Sequence, residues 1–172
     1  KKMIFIQEYK AKKIKTPNIY ENRSRILSSK NTNLIYLLNK RFAWMKKYLR
    51  GKKHIIELGS GNGCLAKVIN NKKIILTDIV KYPWINKKVD MLKVNLGKKY
   101  IRKVDIIIIN HSLHHCSSPY STLKKISKYL KKNGYILINE PETSFFLKLI
   151  QILVDDEGWS YRKNVFDSTK DV

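Results

Sequence analysis

The chain has 172 residues, of which 43% are hydrophobic, and this is enough for one domain with a sizeable core. Two cysteines, no recognisable signal peptide and no apolar run of membrane-spanning length argue against a disulfide-stapled secreted protein and against a membrane-spanning one, and they favour a reducing cytoplasmic location. The formal net charge of +23 leaves two interpretations open: compositional drift towards the residues of A/T-rich codons, or a polyanionic partner such as nucleic acid or an anionic membrane.

The first fifty residues are basic and mostly compatible with helix. Apolar residues recur at helical spacing between 31 and 50, and Gly51 follows them as a C-terminal cap, so we predict a helix over this range. We divide the chain into an N-terminal helical segment, 1–50, that packs on a core formed by 51–172. Because the sequence starts and stops without clear end signals, we expect a trimmed or incomplete chain.

Residues 54–70 are typical of a buried strand, a tight loop and a helix. Three glycines, Gly59, Gly61 and Gly63, stand at alternate positions in the loop. A dinucleotide-binding turn has the spacing G-x-G-x-x-G, and this chain has Cys64 where the third glycine would be. The loop therefore predicts a cofactor site of another kind, in which the backbone comes close to the ligand.

The segment E-L-G-S-G-N-G, which begins at Glu57, resembles motif I of the class I S-adenosylmethionine (SAM)-dependent methyltransferases. The resemblance implies that SAM is the cofactor. It also implies that the motif supplies the cofactor-binding residues Glu57, Gly59, Ser60, Gly61, Asn62 and Gly63. Among these we expect Gly61 to lie closest to the ligand. We expect Gly63, at the helix entry, to tolerate alanine in ordinary helical dihedrals.

The second predicted strand, 73–78, ends on an acid. In adenosine-cofactor folds such an acid, about 20 residues beyond the glycine loop, accepts hydrogen bonds from the ribose hydroxyls, and Asp78 fits that place. The alternative is that Asp78 only caps the following turn. The link to the third strand is too short for a full crossover helix, and it resembles a subset of bacterial methyltransferases in which this link is reduced.

That same resemblance makes Asp90 and Met91, which close strand three, the candidates to meet the adenine. A carboxylate would accept from the exocyclic amino group and an apolar neighbour would cover the ring. Ile79 and Trp84 are further candidates to cover the adenosine, and core packing is the alternative for Trp84.

The continuous apolar run 104–110 predicts a fourth, doubly buried parallel strand. The leucine-histidine-histidine turn after it, a helix over 121–130 and a fifth strand that ends in Glu-Pro resemble the same family. The resemblance places Asn110 at the cofactor and His111, His114 and His115 near the methyl group, as candidates to handle an acceptor proton or to orient the turn. Zinc is disfavoured, because this histidine cluster lacks a second, separated pair of ligands.

The predicted fold is therefore a doubly wound, mostly parallel Rossmann-like α/β sheet of order 3-2-1-4-5, with helices on both faces. We predict a helix over 143–154. Residues 155–172 lack the alternating pattern that strands six and seven need, so the presence of these two strands stays open.

The predicted function is methyl transfer from SAM to a small-molecule, lipid or glycan acceptor. Two alternatives stay open: a SAM- or nucleotide-binding domain without catalysis, and a basic RNA-associated methyltransferase or RNA-binding module. Direct methylation of nucleic-acid bases is disfavoured, because the residues after strand four are neither N-P-P-Y nor a Pro-Cys pair.

Overall fold

The computed structural model of the chain describes residues 18–28 and 32–140. The helix predicted over 143–154 and the question of strands six and seven lie outside the described residues. None of the described helices is both long and apolar enough to cross a membrane.

In the described part of the chain, five parallel strands form one sheet in the order β3-β2-β1-β4-β5, which confirms the predicted order. Their bounds are β1 Ile55–Leu58, β2 Ile74–Asp78, β3 Lys87–Lys88, β4 Val104–Asn110 and β5 Leu130–Asn139. Every residue of β1 is buried, and β4 is buried up to its last residue, as expected for central strands that are covered on both faces.

Within the described residues, four α-helices surround the sheet: α1 Ile19–Leu27, α2 Thr32–Leu49, α3 Cys64–Val68 and α4 Pro119–Ser127. Their positions follow local signals. The side chain of Asn18 accepts from the Tyr20 N–H at 3.1 Å to start α1, and Ser118 with Pro119 starts α4. The helices predicted over 31–50 and 121–130 are therefore present, the second of them shifted towards the N-terminus by its cap.

Alternating strand residues divide the core between the two faces of the sheet. Ile55, Ile106 and Ile108 pack with α2 and α3, whereas their neighbours Ile56 and Ile107 pack with the residues around α4. Helices thus cover both faces of the sheet, as the doubly wound arrangement requires.

The link between β2 and β3 contains no helix, as its length predicts. Instead, the side chain of Asn86 accepts from the Leu76 N–H at 2.7 Å, and the Asn86 N–H donates to the Leu76 carbonyl at 2.9 Å. This pair of hydrogen bonds holds the short link against β2 and lets β3 form directly beside it.

At the amino-terminal edge of the sheet, the buried carboxylate of Asp105 joins three segments. It accepts from the N–H groups of Lys53 at 3.1 Å and His54 at 2.9 Å, and it forms an ion pair with Lys131. Burial alone raises the pKa of Asp105, but the hydrogen bond and charge of Lys131 and the two backbone donors outweigh it and lower the pKa to about 2.

Candidate cofactor site and active site

The glycine loop after β1 is tied to the neighbouring strand by Ser60. The Ser60 N–H donates to the Thr77 carbonyl at 2.9 Å, and the Ser60 hydroxyl accepts from the Thr77 N–H at 3.1 Å. Ser60 is 7% exposed, so its side chain supports the loop from within the core. In the same way the side chain of Asn62 accepts from the Cys64 N–H at 3.1 Å, at the start of α3.

Gly61 lies on the open side of the loop. A Cβ placed on it meets no protein atom within 4 Å, and its φ of +48° lies in the left-handed region that favours glycine. At Gly59 the surroundings are different, because a Cβ there would stand 2.6 Å from the Cβ of Ser112. A side chain at Gly59 would therefore clash with protein, and of these two glycines only Gly61 borders space that a ligand can use.

The expectation that Gly63 tolerates alanine is wrong. Gly63 has a φ of +66°, which is left-handed and not helical. A Cβ on Gly63 would also stand 2.8 Å from Cδ1 of Trp84 and 3.0 Å from Cδ1 of Leu76. The reason for the error is that Gly63 precedes α3 as its N-cap and is not part of the helix.

Asp78, the last residue of β2, turns its carboxylate towards the glycine loop. One oxygen accepts from the Gly61 N–H at 2.8 Å, and the other accepts from the Val80 N–H at 3.0 Å. The second contact is the turn-capping role that was the alternative for this residue. The first contact brings the predicted ribose-binding acid against the residue that borders the open space.

Glu57 is a buried acid below the same loop. Its side chain is 1% exposed, and within the described residues its Oε2 atom has no hydrogen-bond partner. Burial raises the pKa of Glu57 to about 8, the Ser60 hydroxyl lowers it in part, and the charge of Asp78 raises it further. A buried carboxyl with one unsatisfied oxygen is costly to the fold, and such groups are concentrated at functional sites.

Helix α1 reaches the glycine loop through one arginine. Arg23 donates to the Asn62 carbonyl, and its guanidinium lies 4.4 Å from the ring centroid of Trp84. Trp84 in turn donates from Nε1 to the Gly61 carbonyl at 2.8 Å. Trp84 therefore holds the loop, in line with the packing alternative, and its contact with the adenosine stays a prediction.

The candidates for the adenine lie at the end of β3. The Val89 N–H donates to the Asp78 carbonyl at 2.8 Å, and this places Asp90 beside the end of β2. Asp90 accepts from the Leu92 N–H at 2.8 Å, so one carboxylate oxygen is engaged in a local turn. Ile79 is 57% exposed and follows Asp78 at the same edge of the sheet.

The end of β4 is joined to β5 and to α2. The Asn110 side chain accepts from the Asn139 side chain at 2.7 Å, and the His111 N–H donates to the Asn139 carbonyl at 2.9 Å. His111 has a φ of +51°, which is uncommon for a non-glycine residue and is concentrated at functional sites. Its Nε2 atom is bonded by the guanidinium of Arg41 from α2.

Glu140, which follows β5, holds the histidine turn. One of its oxygens accepts from the N–H groups of Ser112 at 2.9 Å and Leu113 at 2.7 Å, and the other lies 2.5 Å from Nδ1 of His114. Burial alone raises the pKa of Glu140, but these hydrogen bonds outweigh it and lower the pKa below its usual value. The rings of His114 and His115 have centroids 4.1 Å apart.

The structure thus brings the predicted residues of β1, β2 and β4 to one edge of the sheet and adds three residues with no predicted role at the site. Glu140 could have been found from topology, because the carboxyl ends of neighbouring parallel strands meet at one edge. Arg23 and Arg41 had no such signal, since they are two among 36 basic residues. Within the described residues, no group of three or more His, Cys, Asp or Glu side chains is placed to hold a metal ion.

Residues 30–167 match the sequence model of a family described as a methyltransferase domain. The chain belongs to this methyltransferase family. The match covers most of the chain, and the cofactor of the family is SAM, as the glycine motif predicts. Among curated proteins, no sequence matches the chain significantly.

Solved methyltransferases share the fold at low sequence identity. A SAM-dependent methyltransferase from Archaeoglobus fulgidus has a TM-score of 0.56 at 20% identity, covering 80% of this chain and 65% of its own. One from Thermotoga maritima has a TM-score of 0.55 at 17% identity, covering 88% and 76%. The CurJ carbon methyltransferase has a TM-score of 0.53 at 18% identity, covering 80% and 43%. The chain therefore spans less than two thirds of the length of the first and third of these proteins.

Proposed function

We propose that this chain binds SAM at the carboxyl edge of its sheet and transfers the methyl group to a small-molecule, lipid or glycan acceptor. The observation that carries the proposal is the buried carboxyl of Glu57, whose Oε2 atom has no partner within the described residues. SAM carries an ammonium and a sulfonium group, and a cation near this carboxyl would favour its charged form.

The other residues of the site fit the remaining parts of SAM. Asp78 would accept from the ribose hydroxyls with the lone pairs that Gly61 and Val80 leave open. Asp90 and Met91 would meet the adenine, and Ile79 would cover the adenosine. The open space beside Gly61 gives the ligand room to approach the backbone.

SAM supplies a methyl group bound to positively charged sulfur, so the chain has to hold an acceptor in line with it and, where needed, remove a proton. His114 is the best placed of the three histidines for the proton. If its Nδ1–H donates to Glu140, the Nε2 lone pair is left to accept a proton. His111 differs, because Arg41 already occupies its Nε2.

We further propose that the N-terminal helical segment 1–50 packs on the core 51–172 and contributes residues to the cofactor site, and that it is not a separate domain. Arg23 of α1 contacts the glycine loop and Arg41 of α2 contacts His111, so both helices reach the site. For the location of the protein we propose the cytoplasm, which agrees with two buried cysteines, Cys64 and Cys116, that form no disulfide.

Isothermal titration of the chain with SAM, with its demethylated product and with NAD tests the proposal. We expect the first two to bind and NAD to bind at least about tenfold more weakly, because Cys64 replaces the third glycine of a dinucleotide loop. Tighter binding of NAD, or no binding of SAM, would contradict the cofactor assignment. SAM binding without turnover on any of the three acceptor classes would favour the non-catalytic alternative, and preferential methylation or binding of RNA would favour the RNA-associated one.

A further inference from the structure

The outward face of α2 carries a group of side chains that the methyltransferase site does not use. Phe42, Met45 and Leu49 point into the core, and the residues on the opposite side of the helix repeat at three- and four-residue intervals. We call these residues the outer strip of α2, and they are Tyr36, Leu37, Lys40, Trp44 and Lys47. Tyr36 is 60% exposed, Leu37 62% and Trp44 38%.

Aromatic rings extend the outer strip along the molecule. Trp44 contacts Tyr48 with ring centroids 6.1 Å apart, and Tyr48 contacts Tyr135 of β5 with centroids 5.9 Å apart. Tyr135 is itself 47% exposed. Large apolar groups therefore follow one another over more than three helical turns. Such a continuous apolar surface indicates an interaction site, whereas single exposed apolar residues do not.

Lysine side chains accompany these rings. The ammonium groups of Lys40, Lys47 and Lys52 lie 5.4, 4.9 and 5.6 Å from the ring centroids of Tyr36, Tyr48 and Tyr135. Helix α2 contains four basic residues and no acidic one: Lys40, Arg41, Lys46 and Lys47. The strip is thus positive as well as apolar, on a chain of net charge +23.

We propose that the outer strip of α2 docks the protein on an anionic lipid bilayer, with the helix lying along the surface. Tyr36, Leu37 and Trp44 would enter the boundary between headgroups and acyl chains, and the lysines would contact lipid phosphates. An anionic bilayer fits the side chains of the outer strip better than RNA does. Stacked bases need free ring faces, whereas lysines lie over Tyr36, Tyr48 and Tyr135, and base stacking gives no use for Leu37.

Vesicle co-sedimentation of the full chain tests this inference, which does not depend on the proposed methyl transfer. The vesicles are phosphatidylcholine alone, or phosphatidylcholine with one third phosphatidylglycerol. We expect binding only to the anionic vesicles, and we expect it to weaken with salt. Leu37→Glu combined with Trp44→Glu should weaken the partition by about tenfold or more, since it removes apolar insertion and adds repulsion.

Ile101→Glu is the matched control, because Ile101 is 44% exposed and adjoins the other face of the sheet, where Tyr100 packs. It should bind like the wild type, whereas Lys40→Glu with Lys47→Glu should lose binding. Should the glutamate pair at 37 and 44 lower the melting temperature, the pair Leu37→Ala and Trp44→Ala replaces it.

Three results would overturn the proposal. One is equal loss of vesicle binding in the strip variant and in Ile101→Glu, which would indicate a diffuse charge effect. Another is tighter binding of single-stranded oligouridylate than of vesicles, abolished by the same strip variant. The third is a strip variant that changes only the sedimentation coefficient of the protein, which would assign the strip to contact with a second copy.

Discussion

Two buried carboxyl groups at opposite edges of the sheet have opposite surroundings. At the amino-terminal edge, Asp105 is 4% exposed and is bonded by two backbone N–H groups and by Lys131. At the carboxyl-terminal edge, Glu57 is 1% exposed and one of its oxygens has no partner within the described residues. The pKa of Asp105 is lowered to about 2, and that of Glu57 is raised to about 8.

The difference separates a carboxylate that holds the fold from one that weakens it. Asp105 joins the starts of β1, β4 and β5 and needs no other group. Glu57 is stabilised in its charged form only in part, by Ser60, so the fold retains a group that a positively charged ligand would stabilise. If the proposed function is correct, the amino-terminal edge of this sheet contributes to stability and the carboxyl-terminal edge to cofactor binding.

The largest effect that we expect from this comparison is the pH dependence caused by Glu57. Its folded pKa of about 8 lies above the ordinary value of 4.5, so its contribution to stability is complete below pH 4.5 and is lost as the pH rises through 8. Glu57→Gln should remove this loss and stabilise the protein by about 5 kcal/mol at pH 9.

Urea unfolding at several pH values measures the effect of Glu57. Addition of SAM to the wild type should reduce the fall in stability above pH 7, because a cationic ligand favours the charged carboxyl. If the unfolding free energies of the wild type and of Glu57→Gln changed with pH in parallel, the carboxyl of Glu57 would have to be stabilised by another group. Glu57 would then no longer differ from Asp105 in this respect.

The next prediction concerns Asp78, the proposed ribose-binding acid at the carboxyl-terminal edge. Asp78→Ala should leave the protein folded and weaken SAM by roughly 1.5–3 kcal/mol, because it removes charged hydrogen-bond partners. Asp78→Asn is the intermediate control, since its amide oxygen keeps an acceptor for the Gly61 N–H, whereas the charge and the acceptor for the Val80 N–H are lost. Isothermal titration distinguishes the outcomes, and unchanged affinity in the alanine variant would limit Asp78 to supporting the loop.

Asp105 should have the opposite pH dependence. Its folded pKa of about 2 lies below the ordinary value of 3.8, so its contribution is present above pH 3.8 and is lost as the pH falls through 2. Asp105→Asn should cost about 2 kcal/mol of unfolding free energy at pH 7 and almost nothing near pH 2.

The control for Asp105 is Lys131→Met, which should cost less, because the Lys131 side chain is 44% exposed and its ion pair is screened by water. Chemical denaturation at pH 7 and at low pH measures both variants. An Asp105→Asn variant as stable as the wild type at pH 7 would mean that the amino-terminal edge does not depend on this charge.

The strands and their order could be predicted from the sequence, because they depend on patterns among residues that are close in the chain. The apolar run of β4 ends at Asn110 as predicted, and the short link after Asp78 leaves no room for a crossover helix. Once the order 3-2-1-4-5 is assigned, the carboxyl ends of the strands meet at one edge, which brings Glu57, Asp78 and Asn110 to that edge.

The contacts within the site could not be predicted in the same way. The bond from Arg41 to His111 joins residues 70 positions apart, and nothing distinguishes this arginine from the many other basic residues. The unsatisfied oxygen of Glu57 depends on which neighbours leave it unpaired in three dimensions. The left-handed backbone of Gly63 depends on where α3 begins, and element boundaries are the least certain part of a sequence pattern.

The smallest effects that we expect are the changes in stability caused by alanine at Gly61 and at Gly63, and these two changes should differ. Gly63→Ala should cost about 1–2 kcal/mol of unfolding free energy, because it combines a positive φ with contacts to Trp84 and Leu76. Gly61→Ala should cost only about 1 kcal/mol, since it has the positive φ without any protein contact. In SAM titration the ranking should reverse, with Gly61→Ala the more damaging of the two, because Gly61 borders the ligand space. Equal SAM affinities in the two variants would mean that the open side of Gly61 does not face the cofactor, and the carboxyl-terminal edge would lose its proposed role in binding.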